Sequence, residues 1–99
     1  SDEVEDYLLN IVHLTRNHED IQMGISPRGT LALMRASQGK ALINNRKYVI
    51  PQDVKDVASY LLSHRLVLTL EASLKKSAIQ VIQSILNTVE VPVEAGVSK

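Results

Sequence analysis

The stretch Gly24-Ile25-Ser26-Pro27-Arg28-Gly29-Thr30 fixes where one helix must begin. Inside a helix, proline removes a hydrogen bond and clashes with the preceding turn, at a cost of about 3 kcal/mol. At the first helical position the missing N–H costs nothing, and the fixed φ suits the helix. Ser26, directly before Pro27, is a good N-cap because its hydroxyl accepts from a free backbone N–H one turn in. Arg28 follows in the first turn, where the macrodipole is positive and a cation loses about 0.3–1 kcal/mol relative to a carboxylate. Such an arginine calls for solvent, a neighbouring carboxylate or an anion in front of it. The free N–H groups of a helix start also attract anions. Ser26, Pro27 and Arg28 therefore read as a candidate phosphate-facing turn.

The rest of the chain arranges itself around that helix. From about Asp2 to Arg16, the residues Val4, Tyr7, Leu8, Ile11 and Leu14 recur at helical spacing, with Leu9 and Val12 widening the stripe. Asp2, Glu3, Glu5 and Asp6 lie at its start and His13 and Arg16 near its end, as the dipole prefers. Residues 17–20 read as a loop and Ile21–Met23 as a very short extended piece. The second helix should run from Pro27 to about Ile43. Its large apolar residues are Leu31, Met34 and Leu42, and Ala32, Ala36, Gly39 and Ile43 form a mostly small-residue stripe suited to close helix approach. With few polar faces, it is expected to be the central, most buried helix. Asn44 and Asn45 end it, since Asn tolerates the left-handed C-terminal position.

Residues 48–50 read as extended and as a candidate partner for Ile21–Met23. Pro51 then opens a third helix to about His64, with Val54, Val57, Ala58, Leu61 and Leu62 on one face. Ile50 has no capping hydroxyl, but Asp53 can reach back to its N–H as half of a capping box. Leu66, Val67, Leu68 and Leu70 form an apolar connector. A last helix opens between Leu74 and Ser77 and runs through about Thr88 on Ala78, Ile82, Ile85, Leu86 and Val89. Residues 93–99 are expected to be a disordered tail. The expected fold is all-α, a four-helix bundle over residues 1–92 with at most one very short strand pair.

Composition removes several classes of function. Ninety-nine residues suit one domain with one core. With no cysteine, disulfides and thiolate metal sites are impossible. Eleven basic residues balance eleven acidic ones, without the excess usual in nucleic-acid binders. Three tyrosines as the whole aromatic content make base-stacking platforms improbable. No apolar run approaches a membrane span, and the acidic, polar N-terminus is unlike a signal peptide.

Four stretches in order carry a family resemblance: Gly24-x-Ser26-Pro27-Arg28; Leu31-Ala32-Leu33; Tyr48-Val49-Ile50-Pro51-Gln52-Asp53-Val54; and His64-Arg65-Leu66-Val67-Leu68. Together, from about Val4 to about Pro92, they resemble the C-terminal lid domain of MoxR-type AAA+ ATPases. No single motif is specific, but the ordered set is. The resemblance implies that Arg28 is the sensor-two arginine, which reaches nucleotide held by a preceding ATPase domain, with Ser26 and Pro27 beside it in the nucleotide-facing helix start. Gly29 stands where the family usually has alanine. It further implies ATP and Mg2+ in the parent protein, with neither bound to this fragment. The implied partners are the ATPase core of the same polypeptide, neighbouring subunits of a ring, and a client protein remodelled in chaperone-like fashion, often through metal or cofactor loading. The chain starts without Met inside its first helix, and is expected to be a piece of a larger cytoplasmic polypeptide.

Independent chemistry is not expected. The spacing Gly24-x4-Gly29-Thr30 imitates a phosphate loop, but the lysine is missing and no buried strand precedes it. A Walker-B-like acidic strand is also missing. His13 and His18 fall on different sides of a helix, and His64-Arg65 suits a helix C-terminus, so none reads as a metal ligand. No nucleophile elbow or triad spacing is visible. The competing readings are a non-catalytic helical adaptor that docks a protein partner, and a helix-turn-helix DNA binder, which the neutral charge disfavours.

Overall fold

The computed structural model describes residues 2–92, and the expected tail at 93–99 lies outside them. The order is α1 (Asp2–Arg16), β1 (Ile21–Met23), α2 (Pro27–Ile43), α3 (Pro51–Ser63), β2 (Val67–Leu68), α4 (Leu70–Ser73) and α5 (Ala78–Thr88). The described residues are thus mostly helical with one tiny antiparallel sheet, as the hydrophobic pattern requires. Pro27 and Pro51 each stand at the first position of a helix.

The core is built by α1, α3 and α5. Tyr7, Ile11 and Val12 of α1 meet Val54, Ala58 and Leu62 of α3 and Val81, Ile82 and Ile85 of α5, all almost completely buried. Every one of these residues belongs to a 3.6-residue stripe. The expectation that α2 is the most buried helix is corrected here. α2 buries one narrow line, Gly29, Leu33, Ser37 and Ala41, and leaves Leu42 65% and Ile43 77% exposed. The small-residue stripe through Ala32 and Gly39 is not the contact line, for a Cβ on Gly39 would meet nothing within 4 Å.

α2 packs mainly on α3, and the two form an antiparallel hairpin. Its turn is well specified. Asn45 adopts φ 63°, the Asn45 N–H donates to Leu42 O at 3.0 Å, and the Arg46 N–H donates to Ala41 O at 2.9 Å. This is a Schellman ending. Arg46 then grips Asp53 with two bonds, Nη1 to Oδ2 at 2.6 Å and Nη2 to Oδ1 at 2.7 Å. Asp53 also accepts from the Ile50 N–H at 2.9 Å, the expected half capping box. The Arg46 hydrogen bond, with help from Ile50 N–H and the nearby positive charge, holds the buried Asp53 carboxyl below its ordinary pKa despite desolvation.

The hairpin also decides which segment pairs with β1. Seventeen residues of α2 carry the chain about 25 Å at 1.5 Å per residue, so residues 48–50 lie at the far end and do not form the strand partner expected of them. α3 brings the chain back, and β2 pairs with β1, Ile21 opposite Leu68 and Met23 opposite Val67. The Thr69 N–H extends the contact to Asp20 O at 2.9 Å. The apolar connector is therefore a strand followed by the single turn α4, capped by Thr69 Oγ1, which makes five helices among the described residues where four were expected. Lys76 Nζ, 2.7 Å from Asp20 Oδ2, ties the region before α5 to the β1 turn.

Candidate functional site

The start of α2 is held from three directions. Ser26 is extended at φ −76°, ψ 166°, and its hydroxyl oxygen accepts from the Gly29 N–H at 3.1 Å. The Ser26 carbonyl accepts from the Thr30 N–H at 2.9 Å and from Thr30 Oγ1 at 3.1 Å. Proline carries no N–H, so of the first three positions only Arg28 keeps an uncommitted backbone donor. The helix start thus offers far less bare amide than a generic N-terminus, and the Arg28 side chain is the cationic group in that turn.

The loop leading in is fastened to the last turn of α1. Thr15, fully buried, donates from Oγ1 to Val12 O at 2.6 Å and accepts from the Ile25 N–H at 3.0 Å. Arg16 Nε donates to Ile25 O at 2.8 Å. Gly24 lies so close that an added Cβ would stand 2.6 Å from Thr15 O and 2.8 Å from the Arg16 backbone N and Cα. Ile25 itself is buried in the core. Sequence periodicity reports none of this: Thr15 looks like an ordinary polar residue near a helix end, and one of its two bonds reaches a loop residue ten positions on.

Arg28 is exposed. Its guanidinium forms no ion pair or hydrogen bond with any described residue, and the first turn of α2 holds no acidic residue. The neighbouring-carboxylate explanation for this arginine is therefore removed. Beside the turn, an open cleft of about 560 Å³ is lined by Asn10, His13, Arg16, Pro27 and Thr30 among others. A second cleft of about 510 Å³, between α1, the middle of α2 and residues 47–49, is more apolar and includes Leu8, Met34 and Tyr48.

The three histidines are scattered in their bonding. The Asn17 side-chain amide lies 3.3 Å from His13 Nε2, His18 Nδ1 accepts from the Asp20 N–H at 3.0 Å, and His64 Nδ1 sits 2.7 Å from Tyr60 O at the end of α3. Among the described residues, no three His, Asp or Glu side chains gather as a metal site. No described helix is long and apolar enough to cross a membrane.

Comparison with known proteins follows the same outline. Residues 13–85 match the AAA lid domain family. The chain is 42% identical over 94 residues to the uncharacterized protein YeaC of Bacillus subtilis (strain 168), covering 94% of this chain and 29% of that protein. It is 39% identical over 97 residues to chaperone MoxR1 of Mycobacterium tuberculosis, covering 88% of this chain and 26% of the relative. A crystal structure of a candidate ATPase from Cytophaga hutchinsonii aligns with a TM-score of 0.85 at 34% identity, over 94% of this chain and 31% of that one. The chain spans less than a third of the length of each of these proteins.

Proposed function

The chain belongs to the AAA lid domain family, as the C-terminal lid domain of a MoxR-type AAA+ ATPase, and from that premise we propose that it covers ATP in a preceding ATPase core and supplies Arg28 as the sensor-two arginine. The observation that carries this reading is the unpaired, exposed guanidinium of Arg28 on a turn braced by Ser26, Thr15 and Arg16. A planar guanidinium grips phosphate oxygens with two parallel bonds, and positive charge on a transferring phosphoryl group is a large part of its catalysis. Ser26 and Pro27 act by aiming Arg28. ATP and Mg2+ would be held by the core, where Mg2+ neutralises phosphate charge. The parent would work as a chaperone-like ring in the cytoplasm, with the lid passing the nucleotide state to its neighbours and to a client protein.

The test separates site from scaffold. Arg28→Ala should leave the unfolding free energy of the lid domain within about 1 kcal/mol, because a cation at a helix start contributes little or opposes the dipole. The same change in the full-length ATPase should lower steady-state ATP turnover about tenfold or more, below the arginine-finger range of about 10³–10⁵ because this residue also positions the lid. Unchanged turnover with an intact domain would overturn the sensor assignment and favour the adaptor reading.

A further inference from the structure

The antiparallel hairpin delivers a second arginine to the same turn. Arg65 lies just past the α3 C-cap His64, and a Cβ built on Gly29 would stand 3.6 Å from Arg65 Cδ and 3.6 Å from Ser26 Oγ. The aliphatic stem of Arg65 therefore lies along the residue that follows Arg28. Its Cδ is one bond from Nε, so the guanidinium is carried at the edge of the first turn of α2. Like Arg28, Arg65 is exposed, and its guanidinium has no ion pair or hydrogen bond with any described residue. No carboxylate stands in that turn to offset either charge. Arg46 and Lys76, by contrast, are each paired, with Asp53 and Asp20.

We propose that Arg65 is a second phosphate-facing cation, which with Arg28 binds the polyphosphate of the same nucleotide. Two guanidinium groups brought to one turn repel each other unless an anion lies between them. A single carboxylate offers one bidentate edge, whereas a polyphosphate offers several adjacent anionic oxygens, enough for two planar forks. This inference rests on the Arg28 reading above.

The experiment uses the full-length ATPase. Arg65→Met keeps the stem that packs on Gly29 and removes only the charge. It should raise the KM for ATP about tenfold, the loss of roughly one charge-assisted contact, with the thermal unfolding midpoint unchanged. Arg65→Lys, which keeps the charge, should recover part of that loss. In an Arg28→Ala background the Arg65→Met effect should shrink, because the two residues would share one ligand. If Arg28→Ala lowers turnover while Arg65→Met leaves KM and kcat untouched, the second-cation assignment is overturned and the Arg28 reading stands. If neither change affects turnover or KM, the Arg28 reading itself fails and takes this inference with it. A lower unfolding midpoint in Arg65→Met without recovery of KM in Arg65→Lys would make Arg65 structural and also overturn the proposal.

Discussion

At Gly24 the nearest atoms to an added Cβ are all backbone, Thr15 O at 2.6 Å and Arg16 N and Cα at 2.8 Å. Backbone cannot swing aside as the tip of a side chain can, so Gly24→Ala should cost about 3 kcal/mol, the upper part of the overpacking range, measured by chemical denaturation. Gly29 is different, for its tightest neighbour is the Ile25 Cγ2 methyl at 2.9 Å. An alanine would fit here only with a shift of that buried side chain. Of the two carboxyls whose pKa a cation partner lowers, Asp20 by Lys76 and Asp53 by Arg46, Asp53 is the more deeply buried. Its carboxyl is 1% exposed and its Arg46 partner 23% exposed, so Arg46→Ala strands a buried charge and should cost about 3 kcal/mol. Because the Arg46 bond lowers the folded-state pKa of Asp53, its contribution is present above the ordinary carboxylate pKa and fades as pH falls through the folded value. Stability should therefore drop as pH falls below about 4, and Asp53→Asn should flatten that part of the profile in denaturation curves collected across it.

Element boundaries follow from capping chemistry, and much of it stands in the sequence. Ser26-Pro27 and Asp53 behave as their side chains dictate, and Asn45 takes the left-handed position that ends α2. In the sequence, Ser77 stands at the edge of the stretch, Leu74 to Ser77, where the last helix opens. It caps α5 in full, its hydroxyl accepting from the Gln80 N–H at 3.2 Å while Gln80 Oε1 accepts from the Ser77 N–H at 2.8 Å. Ser77→Ala should lower domain stability by about 1 kcal/mol, seen as a reduced denaturation midpoint. What periodicity missed has physical reasons. α4 is a single turn of four residues, too short to show a period. The partner of β1 depends on the direction of the α2–α3 hairpin, which no local pattern encodes. α2 looked buried because its apolar residues are numerous, yet exposure of Leu31, Leu42 and Ile43 shows that number does not fix which face meets the core. At the site, Arg28 was legible from its odd place in the dipole. Thr15 was not, because its importance lies in a bond to Ile25 N–H across a loop.

For the molecule as a whole, one continuous core joins α1, α3 and α5 with the loop residue Ile25. The domain expressed alone should therefore unfold in one cooperative step, with coincident transitions by circular dichroism and fluorescence of an introduced probe. It should show no ATP turnover above background, since the sequence lacks a phosphate-loop lysine. The fastening of α1 to the start of α2 has a mechanical side. Thr15, Arg16 and Gly24 weld the last turn of α1 to the turn that bears Arg28, and the same helix is seated in the core through Tyr7, Ile11 and Val12. The turn therefore cannot shift without carrying α1 and its core partners with it. Under the proposed function, a push on the Arg28 guanidinium would be taken up by the domain as one rigid body.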